Sequence, residues 1–237
     1  MASGRSPGIL VFHLCAVTLA LITKSKSAAL IEQKYSAMLA READIVILDF
    51  ESTGSSPGKP NLPWQLGAVC FSGGKVQPDH GFSIYLRVPE DHPFNPYTPG
   101  RWASVRDELA TAPALPELWP QLQPWLLGHP LGAHHAPTER SLLQQAFPLH
   151  HFGPWIDTLT LARIAYPSLS SFQLEDLLSE FGIDREVARI CPGLQPHDAF
   201  FDAVACGYLL QFLLDRPSWR DTSLEKLCAA RASAGKK

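Results

Sequence analysis

Ile45-Val46-Ile47-Leu48 is an uninterrupted apolar run that leads straight into Asp49-Phe50-Glu51. A short β-branched run of this kind predicts a central strand buried on both faces. Side chains two apart on a strand share a face, so Asp49 and Glu51 project together from its end. Two carboxylates that close resist burial unless a cation compensates them. A hard divalent ion such as Mg²⁺ is the natural partner, because it prefers oxygen ligands. Taken alone, the pair is also consistent with a solvated strand end.

The pattern around this strand is of α/β type. Helix formers from Ala28 to Arg41, with Leu30, Ile31, Tyr35, Met38 and Leu39 in helical register, predict a lead-in helix. A second strand is predicted over Leu66 to Phe71, a turn at Gly73-Gly74 and a third strand over Phe82 to Val88, making an antiparallel meander. The Pro-rich stretch from Pro89 to Pro116 reads as a long irregular crossing. Leu118, Leu122, Trp125 and Leu126 then resume a helical period, before a short strand at Leu131-Gly132-Ala133-His134 and a helix from Thr138 to Phe147. Trp155-Ile156 is a further short strand, with Asp157 placed to cap the next helix, and Gly182 ends a helix over Leu174 to Phe181. Asp198 is placed to cap a long last helix that buries Phe201, Val204, Ala205, Tyr208, Leu209 and Phe212. Strands first, then alternating short strands and helices, fit an α/β order without fixing one fold.

Two further patches carry chemistry-bearing residues. Ala133-His134-His135-Ala136-Pro137-Thr138-Glu139 opens one helix, and Pro196-His197-Asp198-Ala199-Phe200-Phe201-Asp202 opens another. Adjacent histidines point to opposite faces of a strand, so His134 and His135 do not read as a shared metal site. Asp49-Phe50-Glu51-Ser52-Thr53-Gly54, followed by Gln65-Leu66-Gly67-Ala68-Val69, resembles the first motif of the DEDDh 3′→5′ exonucleases, the group that includes the proofreading epsilon subunit of bacterial DNA polymerase III. The second patch is similar to that family's Ala-His-Asn-Ala-x-Phe-Asp segment, with His135, Thr138 and Glu139 departing from it. The third matches its His-x-Ala-x-x-Asp signature.

The resemblance implies a ribonuclease-H-like exonuclease fold, a mixed five-stranded sheet flanked by helices. It implies a two-metal-ion phosphodiester hydrolase acting at 3′ ends. Asp49, Glu51 and Asp202 are the implied ligands of two divalent cations, Mg²⁺ or Mn²⁺. Glu139 is the fourth acidic residue, one methylene longer than the family's Asp, and His197 is the implied general base. Ser52, Thr53, Gly54 and His134 are the implied substrate contacts. Trp64 is a candidate stacking residue for a frayed end, with a core or lid position as the other reading. The expected partner is a nucleic acid with a free 3′ end, single-stranded DNA favoured over RNA, and a DNA polymerase or repair complex is the associated assembly. An RNA-trimming exoribonuclease is one alternative. A catalytically impaired nucleic-acid-binding or complex-forming module is the other, and Glu139 is the feature that favours it.

A formal charge of −3 over 237 residues excludes a strongly basic nucleic-acid binder, so attraction must come from local cations. Cys15, Cys70, Cys191, Cys206 and Cys228 form no Cys-x-x-Cys pair, which suggests neither a zinc site nor a disulfide framework. Arg5, the apolar run from Ile9 to Ile22 and the small residues after it have the layout of a secretory signal peptide, against which His13 and the lack of an Ala-x-Ala site weigh. The chain is thus divided into an N-terminal apolar extension over 1–27 (signal peptide or retained leader), an exonuclease domain over 28–216 and a short peripheral C-terminal tail over 217–237. A cytoplasmic location without stable membrane insertion is the expectation, with a secreted nuclease as its alternative.

Overall fold

The computed structural model describes Tyr35 and residues 38–231. Its centre is β1, Ile45–Ser52, paired antiparallel with β2, Pro63–Ser72, which in turn pairs antiparallel with β3, Lys75–Tyr85. On the other side of β1 run the short parallel strands β4, Leu131–Ala133, and β5, Trp155–Asp157. The sheet is therefore mixed and five-stranded, in the order β3-β2-β1-β4-β5. The helices are α1 (Arg106–Thr111), α2 (Trp119–Leu126), α3 (Ala136–Ala146), α4 (Thr158–Ala165), α5 (Leu174–Glu180), α6 (Asp184–Ile190), α7 (Ala199–Leu214) and α8 (Leu224–Cys228).

Strand periodicity sorts the core into two layers. Ile45 and Ile47 face α7 and pack with Val69, Phe71, Val204, Leu209 and Leu213. Val46, Leu48 and Phe50 face the opposite way, against Leu122, Leu126, Leu142 and Leu143. Both faces of β1 are covered, which is why its sequence is apolar at consecutive positions. Continuing the same alternation puts Asp49 and Glu51 on the α7 face. Helix α7 is apolar around its whole circumference and buries most of its length, as expected of a helix wrapped by protein.

Gly67 sets how closely α7 can approach. It stands opposite Asp49 in the β1–β2 ladder, and a Cβ there would overlap the backbone of Ala199 and Phe200. Neither neighbour can swing aside, because both are main chain. Gly67→Ala should therefore destabilise the fold by about 3 kcal/mol, roughly 6–12 °C in Tm for a chain of this size. A thermal melt at the wild-type temperature would contradict this packing.

Three expectations are corrected. The third strand begins at Lys75 rather than Phe82, because Gly73 and Gly74 turn with positive φ and pairing resumes at once. Its register then shifts opposite Val69 and Cys70, and Pro78, Asp79 and His80 in that shift hide the strand from a periodicity reading. Leu86 and Val88 lie beyond it yet remain buried. The crossing from Pro89 to Pro116 is not wholly irregular, since it contains a 3-10 turn at Trp102–Val105 and α1. The tail is not peripheral, since Leu224 and Leu227, three apart on α8, join the main core. Thr222 and Leu224 also hydrogen-bond to the segment at Met38 and Ala40. The lead-in helix lies mostly outside the described residues, and its end is a 3-10 turn at Ala40–Glu42. The extension over 1–27 also lies outside them. Among the described residues no helix is long and apolar enough to cross a membrane.

Candidate active site

Three elements converge at the C-terminal end of β1. Regular pairing with β2 ends at an irregularity between Glu51 and Ser52, a common way to re-aim side chains beside a site. From α3 comes Glu139. His135 turns the chain into that helix with φ 74, and its N–H donates to Asp157 Oδ1 at 3.0 Å. Glu139 lies in the first turn of α3 and is 4% exposed. From α7 comes Asp202, whose Oδ2 accepts the His197 N–H at 2.9 Å. His197 is held in the left-handed region at φ 67, unusual for a residue with a Cβ and common at functional sites.

The result is one cluster from all three sequence patches. Glu51, His197 and Asp202 each present a ligand atom within 4.8 Å of the others. Burial pushes Asp49 well above the usual carboxylate range, and Glu139, Asp202 and Glu51 push it further. Glu139 is raised by burial and then by Glu51. Glu51 is pushed up to about 8 by burial, then by Asp202 and Asp198. Asp202 is pushed up to about 7, burial outweighing the lowering effect of the His197 N–H. Four mutually repelling carboxyl groups, with no ion-pair partner among the described residues, resist ionisation together. Buried Glu139 Oε2 also lacks a hydrogen-bond partner. An oxygen-rich donor set with an orphaned buried acceptor fits a hard divalent cation.

A pH-dependent stability follows. Glu51 and Asp202 have folded pKa values above their unfolded ones, so the folded chain binds more protons between them. The cation-free fold should lose stability as pH rises from about 4 through about 8. Mg²⁺ or Mn²⁺ should then raise Tm by several degrees more at pH 8 than at pH 5, as measured by calorimetry. Equal increments at both pH values would count against the cluster as a cation site.

Two of the expected substrate contacts, Thr53 and His134, are hydrogen-bonded within the fold. Thr53 is fully buried, its N–H donates to Leu62 and its carbonyl accepts from Asn95. Its Oγ1 accepts the Leu62 N–H at 3.0 Å. His134 has both ring nitrogens occupied, by Thr158 Oγ1 and by the Phe172 carbonyl, each at 2.9 Å. A carbonyl can only accept, so Nε2 carries the proton in the neutral ring. Burial lowers the His134 pKa, which keeps that ring neutral. Trp64 is completely buried and packs with Val88, Val105 and Leu109, so the core reading holds. Ser52 and Gly54 stay partly exposed beside Glu51. Gly54 has φ 73, and a Cβ there would collide with Thr98 and Asn95.

Sequence reasoning missed Arg101. Its Nη2 lies 3.2 Å from Asp198 Oδ2 and 2.8 Å from Tyr85 Oη. Asp198 does cap α7, accepting from Phe200 and Phe201, and it also accepts from Gln65 Nε2 at 3.0 Å. No local pattern announces a contact between a loop arginine and a distant helix cap.

The exonuclease family model (RNase T) matches residues 46–210. The PolC-type DNA polymerase III of Bacillus cereus is 26% identical over 181 residues, covering 74% of this chain and 12% of that protein. The PolC-type DNA polymerase III of Oceanobacillus iheyensis is 28% identical over 179 residues, with the same shares of 74% and 12%. The chain thus spans about an eighth of the length of these curated relatives. Exonuclease X in complex with 5′ overhanging duplex DNA superposes with a TM-score of 0.58 at 22% identity, over 78% of this chain and 99% of that one. The nuclease domain of 3′hExo, a DEDDh family member bound to rAMP, gives 0.58 at 17% identity, over 76% and 96%. These likenesses establish the expected fold, that of the ribonuclease-H-like exonucleases.

Proposed function

The chain belongs to the exonuclease family, and on that premise we propose that it is a metal-dependent 3′→5′ exonuclease removing nucleotides from free 3′ ends. The observation that carries this reading is the convergence of Asp49, Glu51, Glu139 and Asp202, drawn from three distant patches, beside His197. In this reading Asp49, Glu51 and Asp202 hold two divalent cations, Mg²⁺ or Mn²⁺. When bound, they supply positive charge that neutralises the scissile phosphate and the leaving 3′ oxygen. Glu139 is longer than the family's Asp, yet its carboxyl stands near enough to Asp49 to raise it, which places it with the other three acids.

His197 acts as general base, its ring taking the proton of the attacking water. The Asp202 carboxylate accepts the His197 backbone N–H, which ties the base to the acid cluster. Ser52 and Gly54 face the terminal nucleotide. Single-stranded DNA is the favoured substrate, and a polymerase or repair complex the favoured assembly, because the curated relatives are DNA polymerases.

Matched 5′-labelled single-stranded DNA and RNA oligomers, incubated with Mg²⁺, test this directly. A ladder shortening from the 3′ end, faster on DNA, is expected. A faster RNA ladder would transfer the reading to an exoribonuclease, and binding without shortening would select the impaired module.

A further inference from the structure

The segment between β3 and α1 forms a strap tied to the end of β1 on one side and to the start of α7 on the other. On the β1 side, Asn95 N–H and Thr98 Oγ1 donate to the Thr53 carbonyl at 2.8 and 3.3 Å. On the α7 side, Arg101 reaches Asp198 at 3.2 Å. Between these ties Gly100, at φ 93, passes beside Glu51, His197 and Trp64. A Cβ on it would lie 3.1 Å from the His197 carbonyl oxygen and 3.7 Å from Glu51 Oε2.

His197 is thus surrounded. Its N–H is held by Asp202, its carbonyl faces Gly100, and the next residue, Asp198, is gripped by Gln65 and Arg101. A left-handed histidine persists only where its surroundings over-determine it. Asp198 has 7% side-chain exposure, and Arg101 is its ion-pair partner among the described residues. The arginine itself has 50% side-chain exposure and is not part of the acid cluster.

We propose that Arg101 is a positioning residue for the hydrolysis: its ion pair with Asp198 holds His197 in its working conformation and draws the strap down over Glu51. The proposal rests on the exonuclease reading. Arg101 acts through Asp198 and leaves the scissile phosphate to other groups.

The test is steady-state shortening of a 5′-labelled single-stranded DNA by the full chain with Mg²⁺, across a salt series. Wild type, Arg101→Ala, Arg101→Lys, Asp198→Asn and the Ala/Asn double variant are compared. Asparagine keeps the helix-cap acceptor and removes the charge. Arg101→Ala should lower kcat on the order of 10-fold with KM and salt dependence unchanged, a size typical of directly coupled pairs. Lysine should recover part of the rate. In the Asp198→Asn background, Arg101→Ala should cost less than about 2-fold, because the interaction is already gone.

A raised KM with a flatter salt dependence, equal in both backgrounds, would overturn the proposal and make Arg101 a phosphate contact. Unchanged kcat in Arg101→Ala, beside an active wild type, would also overturn it and spare the exonuclease reading. An inactive wild type would sink both. If the alanine variant melts early, the lysine variant decides: a lowered kcat at unchanged KM and salt dependence is expected, and a raised KM with a flatter salt dependence would overturn the proposal.

Discussion

Asp202→Asn should abolish 3′ shortening, lowering kcat on the order of 10³-fold or more, the scale of losing a cation ligand worth several kcal/mol. The substitution is nearly isosteric, and its amide oxygen can still accept the His197 N–H that now bonds at 2.9 Å. Asp202 is pushed up to about 7 because burial and the surrounding acids disfavour its charge. Removing that charge relieves repulsion, so the cation-free variant should melt at or above the wild-type temperature at pH 8. Loss of activity with gain of stability separates a functional carboxylate from a structural one. A variant that keeps wild-type turnover would remove Asp202 from the chemistry.

His197 carries the second large effect. Replacing it should cost about 10²–10⁴-fold in kcat, the usual contribution of a positioned general base. The substitution must respect the backbone, since φ is 67 there. Asparagine tolerates the left-handed region better than alanine does, so His197→Asn isolates the ring from the turn. Rapid-quench single-turnover measurements should place the loss in the chemical step, with binding of the 3′ end little changed. A His197→Asn variant that keeps the wild-type single-turnover rate would assign the proton transfer elsewhere.

Much of this site could be read from the chain before the fold was known. The apolar run 45–48 reveals a doubly covered strand, and period-two geometry then pairs Asp49 with Glu51. Asp198 as a cap and Asp202 in the first turn of α7 follow from local helix rules. What stayed hidden is what tertiary packing decides. Nothing in its neighbours shows that Thr53 also holds the loop at Asn61-Leu62 and the strap at Asn95. His134 is spent on Thr158 and Phe172, partners that no spacing rule connects. Arg101 meets Asp198 only because the crossing folds back over β1 and α7. The tail misleads for a simpler reason: Leu224 and Leu227 alone are too few to display a period.

The most direct test of the central claim is the cation dependence of 3′ shortening by chelator-treated protein. With folding verified by circular dichroism, a 5′-labelled single-stranded DNA should remain intact in chelator and shorten stepwise from its 3′ end once Mg²⁺ or Mn²⁺ is restored. Shortening that persists in chelator, or none with either cation restored to the folded chain, would contradict the assignment of Asp49, Glu51, Glu139 and Asp202 to a metal-dependent exonuclease site.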